Sequence, residues 1–128
     1  MPRWCGSGLV AALLLAAPAM AQESPGAVHA ACGTYLVPAF SKPSKAAPKG
    51  VKIDCGCVSG YLVGRFGAPD AEVIVRFFAT AAGQSEKDME ALLKEVGSDR
   101  MRGIVAKVGK FQDLGRQMNE VCPETKIL

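Results

Sequence analysis

The residues of this sequence with the widest chemical scope are its cysteines, above all the Cys55-Gly56-Cys57 triplet. Cysteine sulfurs form disulfides, act as redox centres or, as thiolates, bind metal ions. A bond between two cysteines separated by one residue would close a small, strained ring, so each of them is expected to have a more distant partner. Cys32 and Cys122 can serve as those partners. We therefore predict two long-range disulfides.

Helical geometry suggests how these cysteines pair. Because successive residues of a helix are rotated by about 100°, Cys55 and Cys57 point about 200° apart. Cys55 falls near the apolar face of its predicted helix, whereas Cys57 borders a stripe of glycines at positions 56, 60 and 64. If the chain around Cys32 lies against that stripe, the pairs are Cys32–Cys57 and Cys55–Cys122. In the alternative interpretation, the glycines have no packing role.

Two other uses of the cysteines stay open. Thiols one residue apart can cycle to a strained, easily reduced disulfide, which is the chemistry of a thiol oxidoreductase. Thioredoxin-like enzymes, however, carry C-x-x-C after a strand of a βαβ unit, and this sequence has neither feature. Four thiols would also suit zinc or copper(I), although zinc sites usually have wider spacing within a cysteine pair.

Other catalytic and cofactor-binding patterns are missing from the sequence. It contains no G-x-S-x-G, no phosphate-binding glycine loop, no H-E-x-x-H and no C-x-x-C-H haem motif. The one histidine, His29, lies in a proline-rich segment that offers it no evident catalytic partner. We therefore expect no cofactor and no enzymatic activity, with a thiol oxidoreductase as the enzymatic alternative.

The first residues have the pattern of an export signal. In residues 1–21, one positive residue precedes the apolar run Leu9–Ala17, and the segment ends in Ala19-Met20-Ala21, the small-residue pattern that signal peptidase recognises. We predict cleavage after Ala21 and a periplasmic or secreted protein, a setting that favours disulfides. Cleavage also removes Cys5 and leaves an even number of cysteines. No later segment is apolar enough to predict a transmembrane helix.

The remaining sequence divides into an extended segment over residues 22–50 and a helical domain over residues 51–128. The first part has no helical period and contains four prolines, Pro25, Pro38, Pro43 and Pro48. Four lysines lie close together at the end of this segment and just beyond it: Lys42, Lys45, Lys49 and Lys52. These lysines are interpreted as a solvated spacer or, alternatively, as a contact for an anionic partner or membrane surface.

Four amphipathic segments predict an all-α fold, a small antiparallel bundle of about four helices. The predicted helices are Asp54–Phe66, Pro69 to the residue before Gly83, Ser85–Val96 and Ser98–Cys122, with Ser98 or Asp99 as the cap of the last. Gly109 is expected to bend or break that helix. Residues 51–63 also alternate as a strand would, but a lone strand has nothing to pair with.

These features predict a protein that acts by binding a protein or a small apolar ligand. A groove between helices would be lined by Phe77, Phe78, Met89, Met101, Phe111 and Met118, unless these residues form the core. Nucleic acid is not an expected partner, because the formal net charge is only +3 and the basic residues are not interleaved with aromatics. A second hypothesis is an acid-stress chaperone, since small exported helical chaperones share this general outline; it predicts exposure of apolar surface below about pH 4.

Overall fold

The computed structural model describes residues 25–43, 45, 48–83 and 85–125, and the predicted export signal lies outside these ranges. The described elements are α1 (Pro25–Ala31), a π-helical turn (Cys32–Leu36), α2 (Val37–Ser41), α3 (Cys55–Phe66), α4 (Ala68–Gly83), α5 (Glu86–Val96), α6 (Ser98–Val108) and α7 (Phe111–Val121). No strand occurs in these ranges, so the predicted all-α fold is confirmed. Among the helices described, none has the length and apolar character that a membrane crossing requires.

The core is built around α4, because apolar residues occupy several faces of this helix. Its buried side chains are Ala68, Ala71, Val73, Ile74, Val75 and Phe78. α4 packs against α1, the π-helical turn, α2, α3 and α5, while α7 packs against α3 and α6 against α5. The other helices contribute large apolar side chains that are at most 2% exposed, among them Leu62, Leu92, Leu114 and Met118.

The predicted extended segment over residues 22–50 is wrong for residues 25–41, which are helical. Val28, Ala31, Cys32 and Leu36 form a buried stripe at the spacing of an amphipathic helix. The prolines permit this helix because Pro25 occupies its first position, where the missing N–H loses no hydrogen bond, and two others follow its end.

Pro38 lies inside this helical region, as the second residue of α2 after the π-helical turn. The N–H of Val37 donates to the carbonyl of Cys32, five residues earlier instead of four. A proline has no N–H, and in a regular α-helix its ring collides with the carbonyl four residues before it, so a widened turn accommodates it. The turn leaves Tyr35 44% exposed while Cys32 is fully buried.

Residues 42–54 connect α2 to α3 without regular structure where they are described. The N–H of Val51 donates to the carbonyl of Phe40 at 2.7 Å, and a Cβ on Gly50, whose φ is +80°, would overlap the carbonyl of Ser41. At the other end, the N–H of Asp54 donates to the hydroxyl of the buried Thr125 at 2.7 Å. The four lysines of this connection are exposed, as a solvated spacer requires.

Glycines end three helices at the predicted places, Gly67, Gly97 and Gly109. Gly109 has a φ of +78°, a conformation that a helical residue does not adopt. It divides the predicted helix Ser98–Cys122 into α6 and α7, so the structure has more helices than the four predicted. α6 begins at Ser98 without a side-chain cap, which corrects the prediction that Ser98 or Asp99 caps it.

The glycine stripe on α3 does not serve close packing. A Cβ built on Gly60 or Gly64 would meet no heavy atom within 4 Å outside the nearby helix backbone, and both glycines are exposed. The prediction that the N-terminal segment lies on this stripe is therefore wrong, and the interpretation without a packing role is confirmed.

Replacing Gly60 with alanine is accordingly expected to raise the free energy of unfolding by about 1 kcal/mol, because alanine loses less backbone entropy in a helix interior. Urea unfolding followed by circular dichroism measures the change. Gly64→Ala is the matched variant with the same expected gain. A loss of stability in both variants would show that another part of the chain packs on the stripe.

Candidate functional site

Both disulfides meet in the first turn of α3. Cys32–Cys55 joins the π-helical turn to α3 with a Cα–Cα distance of 5.7 Å, and Cys57–Cys122 joins α3 to the end of α7 with a distance of 5.8 Å. Cys32 and Cys122 are 0% and 1% exposed, and the other two cysteines are half-buried. The prediction of two long-range disulfides is confirmed.

The predicted pairing, Cys32–Cys57 and Cys55–Cys122, is wrong. Its premise holds, because Cys55 and Cys57 do bond to different parts of the chain. The error comes from the N-terminal segment, which is a helix packed against α3 and α4 instead of an extended strap. Cys32 therefore reaches Cys55 from within the core, and the chain that leaves α7 reaches Cys57.

This pairing affects the chemistry of the triplet, because a disulfide sulfur is neither a nucleophile nor a thiolate ligand. Cys55 and Cys57 are each bonded to a distant cysteine and not to each other. Within the described ranges, no group of three or more His, Cys, Asp or Glu side chains is placed to hold a metal ion. His29 is an exposed residue of α1. The arrangement thus favours a structural role for the four cysteines.

Five of the six phenylalanines and methionines considered as a groove lining belong to the core or pack against it, whereas Met89 is half-buried. Phe78, Met101 and Met118 are at most 7% exposed. The ring of Phe111 packs 4.1 Å from that of Phe77 and 5.6 Å from that of Phe78, measured between centroids. The described cavities are lined by other residues, so the core interpretation is confirmed for all of this set except Met89.

A different cleft opens between the π-helical turn, α4 and α5. Its volume is about 370 Å³, and we call it the Tyr35 cleft; it is lined by Thr34, Tyr35, Arg76, Ala79, Thr80, Asp88, Ala91 and Leu92. A wider depression of about 690 Å³ lies mainly on the exposed surface of α5. Three elements border the Tyr35 cleft and form its walls, as a ligand site requires.

Arg76 is the central charged group of the Tyr35 cleft. Its guanidinium carbon lies 5.2 Å from the centroid of the Tyr35 ring, within the range of a cation–π interaction. Its Nη2 donates to Oε2 of Glu95 at 2.6 Å. This hydrogen bond raises the pKa of Arg76, although partial burial acts in the opposite direction. The guanidinium is therefore a permanent positive charge held against an aromatic ring.

The Tyr35 cleft was not anticipated from the sequence. The available signal is Arg76 itself, a charged residue inside the apolar run of α4 from Val73 to Phe78. A charge at such a position needs a partner or a path to solvent. The missing information was the helical structure around Tyr35, because only the π-helical turn brings that ring to α4.

Arg65, in the last turn of α3, bonds to side chains of α3 and α7 and not to Asp70. It is exposed, donates to the hydroxyl of Tyr61 at 2.8 Å and to Oε1 of Gln117, and its guanidinium carbon lies 5.1 Å from the centroid of the Phe66 ring. The ion pairs of Asp70 are instead with Arg100 and Lys107 of α6.

The Arg76–Glu95 pair yields a prediction about pH. The hydrogen bond from Arg76, assisted by its charge, lowers the pKa of the Glu95 carboxyl below its usual value. The pair therefore stabilises the fold above the usual glutamate pKa, and this contribution is lost as the pH falls through the lowered pKa. A titration followed by carboxyl ¹³C shifts should show the lowered pKa, and Arg76→Gln should return it to the usual range. A Glu95 pKa that Arg76→Gln leaves unchanged would contradict this assignment.

Comparison with known proteins found no matching protein family and no significant similarity to a curated protein or a solved structure.

Proposed function

We propose that this chain is an exported, non-catalytic protein that binds a small ligand in the Tyr35 cleft. The observation that carries the proposal is the cleft itself, a recess of about 370 Å³ that combines apolar surface with a few charged and hydroxyl groups. Small-molecule sites typically have this composition and a volume of about 300–1,000 Å³. The volume of the cleft lies near the lower end of that range and therefore suits a small ligand.

The disulfides are consistent with the proposed export, and one of them also stabilises a wall of the cleft. Disulfides persist in oxidising compartments such as the periplasm or the extracellular space, in agreement with the predicted signal segment. Cys32 begins the π-helical turn, and its bond to Cys55 attaches this turn to α3. Tyr35, three residues further along, is thereby held at the rim of the cleft. Such preorganisation lowers the entropic cost of binding.

The residues of the cleft favour binding over catalysis. The lining contains no histidine or cysteine, and the hydroxyl of Thr80 donates to the carbonyl of Arg76 at 2.8 Å. A nucleophile of the Ser or Thr type needs an adjacent general base. The lining instead offers the charges of Arg76 and Asp88 together with apolar surface, and such groups serve to bind a ligand.

Amide shifts in ¹H–¹⁵N NMR spectra test the proposal with four related probes. These are 2-phenylethanol, 3-phenylpropionate, 2-phenylethylamine and L-phenylalanine, which share an apolar body and differ in charge. At least one of them is expected to shift the amides around Tyr35, Arg76 and Ala91 in a saturable way. If none of them does so up to millimolar concentration, or if the shifts centre on another surface, the proposed site is wrong.

A blocked variant gives the matched control. Ala91→Trp places a large side chain at the cleft and is expected to abolish the saturable shifts. Ala106→Trp adds the same side chain at an exposed position of α6, outside the cleft, and should leave binding unchanged. Equal loss of binding in both variants would point to a general effect of the tryptophan and contradict the assignment to this cleft.

A further inference from the structure

Two side chains of opposite charge line the Tyr35 cleft without contacting each other. Arg76 belongs to α4 and Asp88 to the first turn of α5. The ion pairs of the described residues do not join them; Arg76 pairs with Glu95 instead. Two opposite charges that line one recess and are not paired with each other provide separate anchor points for an anionic and a cationic group of one ligand.

Arg76 has hydrogen-bonding capacity left for an anion. A guanidinium carries five N–H donors, and the described hydrogen bond of its side chain uses Nη2 for Glu95. The side chain is 25% exposed, against 60% for Glu95, so Arg76 is the more desolvated partner of the pair. A carboxylate that binds partly desolvated Arg76 is held more strongly than at an open surface.

Asp88 offers the complementary acceptor. Its backbone N–H donates to the hydroxyl oxygen of Ser85 at 3.2 Å, and the described hydrogen bonds and ion pairs do not involve its carboxylate. An ammonium group has donors only and a carboxylate acceptors only, so each can satisfy the other. Arg76 and Asp88 line the same cleft. A ligand whose ammonium group lies beside Asp88 could therefore place a carboxylate at Arg76.

The rest of the lining specifies the ligand's body. Ala79, Ala91 and Leu92 contribute apolar surface to the same cleft as the two charges. We infer that the Tyr35 cleft binds a small zwitterion with an apolar side chain, the chemistry of an apolar α-amino acid. This inference rests on the proposed function, because it names the ligand class of the same cleft.

The probes of the preceding section separate the two charges. 3-Phenylpropionate is L-phenylalanine without the ammonium group, and 2-phenylethylamine is L-phenylalanine without the carboxylate. For the wild-type protein, each of these probes is expected to bind about tenfold more weakly than L-phenylalanine, because each leaves one charged side chain without its partner. Dissociation constants come from the NMR titrations.

Variants then assign each charge to its side chain. In Asp88→Asn, L-phenylalanine is expected to bind no better than 3-phenylpropionate, because the ammonium group has lost its partner. In Arg76→Gln, L-phenylalanine should bind no better than 2-phenylethylamine. Glu90→Gln removes a negative charge from the same helix outside the cleft and should keep the wild-type ratios. Because Asp88 is exposed and makes no described side-chain contact, its variant keeps the test valid even if Arg76→Gln is poorly folded.

The possible outcomes distinguish this inference from the proposed function. If 2-phenylethanol, 3-phenylpropionate or 2-phenylethylamine binds the cleft as tightly as L-phenylalanine, the cleft is a ligand site but the zwitterion inference is wrong. The inference is also wrong if the wild-type ratios persist in Asp88→Asn. If no probe reaches the cleft, both are wrong. The dipeptide Ala-Phe has its two charges further apart than L-phenylalanine does. If Ala-Phe binds more tightly than L-phenylalanine, the inferred ligand is wrong and a short peptide takes the place of the free amino acid.

Discussion

Replacing Cys57 and Cys122 together with alanine is expected to lower the free energy of unfolding by about 4 kcal/mol. This disulfide joins residues 65 positions apart, and in the chain-entropy model a crosslink restricts the unfolded chain more when its loop is longer. Alanine is preferred to serine because Cys122 is 1% exposed, and a buried hydroxyl would add a desolvation cost. For a domain of this size, the melting temperature should fall by roughly 20 °C.

The second disulfide provides the comparison. Cys32 and Cys55 are 23 positions apart, so replacing both with alanine should cost about 3 kcal/mol, less than the first pair. Urea unfolding monitored by circular dichroism measures both losses. Each double variant should also contain no free thiol, because the other disulfide stays intact. Two reactive thiols in the Cys57/Cys122 variant would refute the pairing seen in the structure.

Ile74→Ala is expected to lower the free energy of unfolding by about 3 kcal/mol, even with both disulfides present. Ile74 is fully buried on α4, the helix against which α1, α2, α3 and α5 all pack. Truncation removes apolar contacts and leaves a cavity that the surrounding helices fill only in part. Since small domains are stable by about 5–15 kcal/mol, this is a large share of the total.

Val105→Ala on α6 is the control for the core substitution. Val105 is 41% exposed, so its truncation should change the free energy of unfolding by less than about 0.5 kcal/mol. Thermal and urea unfolding of both variants give the comparison. Similar losses at positions 74 and 105 would mean that α4 is not the centre of the core.

The helices that the sequence predicts well have both a clear period and clear ends. α5 is the best example, because the hydroxyl oxygen of Ser85 accepts a hydrogen bond from the N–H of Asp88, as a helix N-cap does, and Gly97 follows the last residue. The ends of α3 and α5 at glycine follow from local backbone conformation alone. These features depend on neighbouring residues, so one sequence is sufficient to predict them.

The extended structure predicted for the N-terminal segment is wrong because the effect of a proline depends on its position in a helix. Pro25 starts a helix, and Pro38 is accommodated by a π-helical turn. The stripe of Val28, Ala31, Cys32 and Leu36 was present in the sequence, and its burial against α4 outweighs the cost of the proline. The disulfide pairing and the Tyr35 cleft both depend on this helix, so the same error concealed them.

The acid-stress chaperone hypothesis stays a prediction that a direct assay can test. It requires that the protein suppress aggregation of a client such as unfolded malate dehydrogenase at pH 3 but not at pH 7. As the pH falls through the lowered pKa of Glu95, protonation of this carboxyl weakens its pair with Arg76, which acts in the direction of a looser fold. Equal aggregation with and without the protein at pH 3 would remove this hypothesis.

The positions of the two disulfides also determine how the chain responds to proteolysis. Residues 32–55 and 57–122 form two consecutive covalent rings, with Gly56 as the single residue between them. A protease that cuts one peptide bond in either ring linearises that ring but releases no fragment. Only the two bonds of Gly56, within the first turn of α3, separate the rings when a single one of them is cut. A molecule that is nicked once inside either ring thus stays in one piece, which favours its survival where proteases are abundant.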